Sequence, residues 1–158
     1  MTDPRTLLEK YVATGKVLQL ATVRPDGSPV ACNLWFASRF SPDRLWFISR
    51  PAREHCANLR ADPRVAGAIL TGVPAELGKT PVCGVSFSGT AHELPTTGIE
   101  EQIAGYAGRW PNAANAIDPR RLASGEAHHR IYEIAVTGWV LFDEEHFDGQ
   151  PRQEVPAA

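Results

Sequence analysis

Residues 17–36 have the sequence VLQLATVRPDGSPVACNLWF, in which two apolar runs flank a short polar segment. Pro25 fixes the backbone angle φ for a turn, and Gly27 supplies the positive φ that a short hairpin loop with a bulge requires. The stretch therefore predicts an antiparallel hairpin, with strands over 17–23 and 28–36.

Four further strands are predicted outside this hairpin, each next to turn-forming residues. Six short strands with few helices favour a mainly β (α+β) fold, and a small antiparallel barrel accounts for them better than a parallel sheet. The four strands cover residues 45–48, 65–70, 82–94 and 130–141.

The helices are predicted from capping residues and prolines. Asp3 is a suitable N-cap and Pro4 a suitable first helical residue, so a short amphipathic helix is expected within residues 1–15. Pro51 can open a second helix. Further helical segments are expected over 98–108 and 112–121, followed by a surface tail over 142–158. Nothing indicates a second domain, so residues 1–158 are expected to form one.

Two apolar runs, 34–36 and 45–48, place large side chains on both faces of their strands. One face can fill the barrel, but the other needs a cover. A second copy of the chain is the simplest cover, so the sequence predicts a homodimer.

The composition excludes several functional classes. The chain has 158 residues, 43% of them hydrophobic, and a formal charge of −2, without the basic stripe of a nucleic-acid binder. No apolar run approaches the roughly 20 residues of a membrane span, and Met1–Lys10 is polar where a signal peptide is apolar, so we expect a cytoplasmic protein without nucleic-acid or membrane partners. Cys32, Cys56 and Cys83 lack metal-ligand spacing, which predicts free thiols and no metal site.

A candidate anion site follows the third predicted strand. The start of a helix has free backbone N–H groups and partial positive charge, which favour a bound anion. Ser49, Arg50, Arg53 and His55 add a hydroxyl and cationic groups there, so a phosphate is a suitable ligand. The alternative is a solvated helix start whose arginines pair with nearby acidic residues.

A set of segments occurs in a characteristic order along the chain: LATVRPDGSP (20–29), LWF (34–36), LWFIS (45–49), REHCANLRADPRV (53–65) and VSFSGTA (85–91), with Tyr106, Trp110 and Pro111. In this order the segments resemble the FMN-binding split-barrel superfamily typified by pyridoxamine 5'-phosphate oxidase. The resemblance covers residues 7–141 and is closest to the simple, oxidase-like members.

The resemblance implies a six-stranded antiparallel split β-barrel that forms a homodimer with two FMN sites at the subunit interface. It also implies an oxidoreductase for an unknown small organic molecule, with NADH or NADPH as candidate electron donor. The resemblance implies that the strand with Asn33, Leu34, Trp35 and Phe36 lies along the flavin ring with its backbone groups, with Ile48 beside the cofactor. It implies that Ser49, Arg50, Arg53 and His55 hold the phosphate. It also implies that Ser86 approaches the ring or ribityl chain, and that Arg109 and Trp110 cover the ring from the other subunit.

Some residues depart from the family pattern. His55 stands where many relatives have a lysine, and Gly84 where the oxidase has a glutamine that bonds the flavin. Residues 147–155 lack the pattern that the oxidase uses for pyridoxamine phosphate, so a different substrate is expected.

Two alternatives to an FMN-dependent oxidoreductase remain. One is a deazaflavin-dependent reductase, and the other is a non-catalytic module that binds flavin or haem. The longer anionic tail of a deazaflavin would need a basic groove, for which the sequence offers Arg39, Arg44, Arg60 and Arg64.

Overall fold

The computed structural model describes residues 2–158 and confirms a mainly β fold with flanking helices. Met1, the first residue of the range predicted to hold the N-terminal helix, lies outside the described residues. The strands are β1 (Val17–Val23), β2 (Pro29–Trp35), β3 (Ala37–Arg39), β4 (Arg44–Ser49), β5 (Arg64–Leu70), β6 (Cys83–Glu93), β7 (Arg130–Asp143) and β8 (Arg152–Pro156).

Helices cover the ends and one side of the sheet. Asp3 caps the first one, accepting a 2.9 Å hydrogen bond from the Thr6 N–H as predicted. No helix within residues 2–158 is long and apolar enough to cross a membrane. The helices are α1 (Pro4–Thr14), α2 (Glu54–Ala61), α3 (Glu100–Arg109) and α4 (Pro119–Ser124), with a 3-10 turn at Pro111–Ala113.

All the strands belong to one antiparallel sheet, ordered β2-β1-β5-β6-β7-β4-β3, with β8 added beside β7. The sheet curls until β2 and β4 contact each other, yet these two strands do not pair. This unpaired junction is the split in the barrel. The predicted hairpin joins β1 to β2, and Gly27 has the positive φ of 85° that its turn requires.

The described chain has eight strands, so the prediction of six was too few. β3 has only three residues, too short for a recognisable alternation. β8 lies in the segment predicted as a surface tail, where Val155 pairs with Trp139 of β7 and is buried. One buried apolar residue among charged residues and prolines gives no strand pattern in the sequence.

The second apolar face of β4 is covered by the chain itself. Trp46 packs on this face with Tyr106 of α3, Leu122 of α4 and Ile117 between those helices. Phe47 faces the opposite way, into the barrel core. The cover predicted to come from a dimer partner is therefore intramolecular at β4, because α3 and α4 fold back across it.

Two glycines in α3 provide a matched test of how tightly this helix packs on β4. A Cβ added at Gly105 would lie 2.5 Å from the Trp46 ring, whereas one at Gly108 would meet no atom within 4 Å. We expect Gly105→Ala to lower the free energy of unfolding by about 1–3 kcal/mol through overpacking. Gly108→Ala should raise it by about 0.5 kcal/mol because alanine favours helix. Equal effects in urea unfolding would contradict the packing.

Candidate functional site

A cavity of about 470 Å³ opens at the split in the barrel, and we call it the ring pocket. Five residues predicted as cofactor contacts meet in it, although they come from β2, β4 and the end of α3. Most of its wall is apolar, as a planar aromatic ligand would require. The lining residues are Asn33, Leu34, Trp35, Ile48, Tyr106, Trp110, Asn112 and Ala113.

Trp35 forms an open wall of the ring pocket. Its side chain is 56% exposed, unusual for so large an apolar group. Trp110 packs edge-on against it, with ring centroids 4.9 Å apart. The Tyr106 hydroxyl donates to the Trp35 carbonyl at 3.1 Å, and burial raises the pKa of Tyr106 to about 12. The phenol therefore stays protonated as a donor and fixes this edge of β2.

Phe36 and Arg109 both make contacts within their own chain. The Phe36 side chain is buried in the barrel core, and its carbonyl accepts a 2.8 Å hydrogen bond from the Trp110 indole N–H. The Arg109 guanidinium stacks on Trp110 and donates to the Gly15 carbonyl at 2.9 Å. Arg109 and Trp110 thus lie against their own β2 and α1, and their contact with the flavin ring of a partner subunit stays a prediction.

A second group of residues, which we call the cationic cradle, lies between the end of β4 and the start of α2. Ser49 is buried, and its Oγ lies 2.8 Å from His55 Nε2. Arg50 and Arg53 are exposed, and neither forms an ion pair within residues 2–158. Glu54, the nearest acidic residue in sequence, is already bound by Arg24 at 2.8 Å. The two arginines are therefore solvated but not neutralised by nearby acidic residues of the described chain.

His129 also belongs to the cationic cradle. Arg130 is the residue opposite Ser49 in the β4–β7 register, so the preceding His129 lies beside Arg50. Burial and the charges of Arg50, His128 and Arg53 lower the pKa of His129. The sequence alone does not place His129 at this site, because strand pairing, and not sequence distance, brings position 129 to position 50.

The Ser49–His55 pair can adapt to an anion. Burial and the charge of Arg53 lower the pKa of His55, so its imidazole is mainly neutral at pH 7. When Nε2 carries the proton, it donates to Ser49 Oγ and leaves the serine hydroxyl free to donate to a ligand. When Nε2 is bare, it accepts the hydroxyl proton instead.

The ring pocket and the cationic cradle are connected along β4. Ile48 lines the pocket, and the next two residues of the chain, Ser49 at the end of β4 and Arg50 directly after it, belong to the cradle. Ile48 and Ser49 are successive strand residues, about 3.3 Å apart along β4. A ligand with a planar ring, a short polar chain and a terminal anion would match this order of groups.

Ser86 lies away from both groups. It is an exposed residue on the outer face of β6, three strands and about 14 Å from β2. There it lines a separate recess of about 620 Å³ with Val140 and Glu154. Within one chain Ser86 therefore does not line the ring pocket, and its approach to the flavin ring or ribityl chain stays a prediction.

Comparison with solved structures shows the same fold at low sequence identity. The haem binding protein from Mycobacterium smegmatis superposes with a TM-score of 0.74 and 18% identity, over 99% of this chain and 60% of that one. A FAD-binding protein from Mesorhizobium loti gives 0.65 and 22%, over 88% and 94% of the two chains. A Clostridium acetobutylicum protein related to general stress protein 26 of B. subtilis, of the pyridoxinephosphate oxidase family, gives 0.66 and 11%, over 98% and 96%.

No curated protein sequence matches this chain. Its sequence does match the pyridoxamine 5'-phosphate oxidase family over residues 7–140, which is most of its length and includes the ring pocket and the cationic cradle. Together with the split barrel, this match shows that the chain belongs to the pyridoxamine 5'-phosphate oxidase family.

Proposed function

We propose that this protein binds FMN and acts as an oxidoreductase on a small organic molecule. The observation that carries the proposal is the placement of an apolar ring pocket and an unneutralised cationic cradle at neighbouring positions of β4. Bound flavin supplies hydride-transfer chemistry, while the protein supplies position and electrostatics. A nicotinamide cofactor, NADH or NADPH, is the proposed electron donor.

The residues present fit a phosphate monoester. Arg50 and Arg53 have guanidinium N–H groups with no partner in the described chain, and these can bind phosphate oxygens directly. Ser49 supplies a hydroxyl donor, and His55 and His129 add imidazoles that a bound dianion would help to protonate. These five residues would hold the phosphate, while Asn33, Leu34, Trp35 and Ile48 would hold the ring.

Deazaflavin is less well supported because the arginines available for its longer tail are already engaged. Arg39 pairs with Glu101, Arg44 with Glu133 at 3.5 Å, and Arg64 with Asp62 at 2.7 Å. The Arg60 guanidinium donates to the Pro51 carbonyl at 3.1 Å. These four side chains therefore do not form an extended basic groove.

Haem also fits the ring pocket poorly. Its lining residues include no histidine, cysteine or methionine that could be an axial ligand. The Tyr106 phenol, the other candidate ligand, is held protonated by its environment and donates to the Trp35 carbonyl. The haem-binding neighbour therefore supports this fold as a scaffold for planar ligands, and flavin remains the better proposal for this chain.

A homodimer is proposed from the outer face of the sheet. Small side chains line its central rows, among them Ala31, Ala66 and Ser88 on β2, β5 and β6. Trp35 and Leu70 stand at one end of this face and are 56% and 58% exposed. The central rows of small side chains suit a second sheet, and the end of the face with Trp35 and Leu70 is left for ligands.

Titration of the purified protein tests the proposal. We expect FMN to bind with a shift in its visible absorbance, and to bind at least about 100-fold more tightly than riboflavin, because the cradle contacts phosphate. Haemin and a deazaflavin serve as competing ligands in the same assay. Equal affinity for FMN and riboflavin would contradict the phosphate-binding role of the cradle, and tight haemin binding without flavin binding would favour the haem module.

Reduction of bound FMN by NADH or NADPH, followed by reoxidation with a substrate, would distinguish an enzyme from a binding module.

A further inference from the structure

A second recess adjoins the ring pocket on the outer face of the sheet, and we call it the Lys16 recess. It has a volume of about 470 Å³ and lies between the end of α1, the start of β1 and the residues that follow β5. Asn33 lines both this recess and the ring pocket. The other lining residues are Thr14, Gly15, Lys16, Val17, Gln19, Leu70, Thr71 and Gly72.

The β1–β2 register connects the two spaces directly. Gln19 pairs with Asn33, and Val17 pairs with Trp35. Paired residues on neighbouring strands are about 4.8 Å apart, so the recess begins one strand away from the wall of the ring pocket. A small molecule in the recess could therefore reach a flavin ring held at β2.

The charge of the recess is positive. Lys16 is exposed, forms no ion pair within residues 2–158, and is the only charged residue in the lining. The neighbouring Thr14 and Gly15 carbonyls do not offset this charge, because both accept hydrogen bonds from the Arg109 guanidinium, at 3.4 and 2.9 Å. The recess thus has one available cation, a second cation behind its backbone, and no acidic side chain.

Neutral polar groups complete the recess. The Gln19 and Asn33 side-chain amides are exposed and make no hydrogen bonds within the part of the chain that the structure describes. They stand next to each other across the strands, where they can donate to one ligand. Val17 and the 58% exposed Leu70 supply apolar surface beside them. This combination suits an organic anion with an apolar body.

We propose that the Lys16 recess is the substrate subsite and that it binds the carboxylate of a small organic acid. The inference rests on the proposed function, because it places the substrate against a flavin held in the ring pocket. The cationic cradle already provides for the anionic end of the cofactor, so the charge of Lys16 is left for another ligand. Lys16 holds the carboxylate, Gln19 and Asn33 donate to it, and the rest of the substrate extends towards Trp35.

Benzoate and its neutral analogue benzamide are suitable probes. With FMN-loaded protein, we expect benzoate to perturb the visible flavin spectrum and benzamide to bind at least about tenfold more weakly, as expected when a charged hydrogen bond is lost. Lys16→Gln should weaken benzoate binding by a similar factor and leave FMN affinity unchanged. Lys10→Gln, which removes an exposed lysine on α1 outside the recess, is the matched control and should change neither affinity.

A second measurement separates this proposal from the flavin proposal. In protein without flavin, benzoate should shift the NMR side-chain amide signals of Gln19 and Asn33, and Lys16→Gln should abolish the shifts. Equal binding of benzoate and benzamide, or an unchanged benzoate affinity in Lys16→Gln, would overturn the subsite. Failure of FMN to bind would instead overturn the proposed function, and the NMR titration would still decide whether the recess binds carboxylates.

Discussion

Replacing Arg50 and Arg53 together by alanine is expected to weaken FMN binding by about 100-fold or more, since each charged hydrogen bond to a phosphate contributes about tenfold. Both side chains are exposed and unpaired within residues 2–158, so their removal leaves no buried charge behind. The fold should therefore keep its stability, and thermal unfolding of the ligand-free variant should match that of the parent protein. Isothermal titration calorimetry or flavin fluorescence would measure the loss of affinity.

Two controls make this prediction specific. Arg120→Ala combined with Arg152→Ala removes the same charge from exposed positions on α4 and β8, away from the cradle, and should change FMN affinity little. Riboflavin lacks the phosphate, so the Arg50/Arg53 variant should bind it as the parent protein does. An equal loss for FMN and riboflavin would show that the arginines act on the pocket as a whole, and an unchanged FMN affinity would remove the phosphate assignment.

The sequence carries information on local structure and much less on which strand faces meet. Pro25 and Gly27 fix a hairpin that the structure contains, because turn chemistry acts within a few residues. In contrast, residues 34–36 are all apolar, so alternation does not reveal which side chain points inwards. The curl of the sheet decides the question: Phe36 is 1% exposed and lies in the core, and Trp35 is 56% exposed and lines the ring pocket.

Local sequence patterns do not reveal which strands meet, and this limit also explains where the predicted and observed candidate sites differ. The cationic residues at 49–55 were found because they are contiguous and precede a helix, which is a local signal. No local pattern indicates His129 as a member of the cationic cradle, because only the pairing of β7 with β4 brings it to that site. The family resemblance predicts Ser86 near the flavin ring or ribityl chain, and the strand order puts it three strands away from β2 of its own chain. The order of strands in a sheet is a property of the whole chain, so local sequence patterns do not predict it.

The largest effect on stability is expected at Asp43, which lies in the turn between β3 and β4. Its buried carboxylate accepts two hydrogen bonds from the Arg5 guanidinium, at 2.6 and 2.7 Å. It also accepts hydrogen bonds from the Trp139 indole at 2.7 Å and from the Ala158 N–H at 3.1 Å. These partners are 38, 96 and 115 residues away in sequence, so Asp43 joins α1, β7 and the segment after β8.

Asp43→Asn should lower the free energy of unfolding by about 3–5 kcal/mol, because it leaves buried donors facing an amide and removes one member of a buried ion pair. For a chain of this size, the midpoint of thermal unfolding would fall by roughly 10 °C or more. Asp148→Asn, at an exposed loop position, is the matched control and should unfold close to the parent protein. An effect of Asp43→Asn no larger than that of the control would mean that this hydrogen-bond network does not stabilise the fold.

The pH dependence of the same variant provides an independent check on the cause. Burial acts to raise the pKa of Asp43, but hydrogen bonds from Arg5 and Trp139 outweigh it and hold the pKa well below its usual value of 3.8. A carboxyl whose pKa is depressed on folding stabilises the protein fully above the unfolded pKa, and this contribution is lost as the pH falls towards the folded pKa. The difference in unfolding free energy between the parent protein and Asp43→Asn should therefore be constant from pH 7 to 5 and shrink below pH 4. A difference that stayed constant down to pH 2.5 would assign the loss to packing and not to the charge of Asp43.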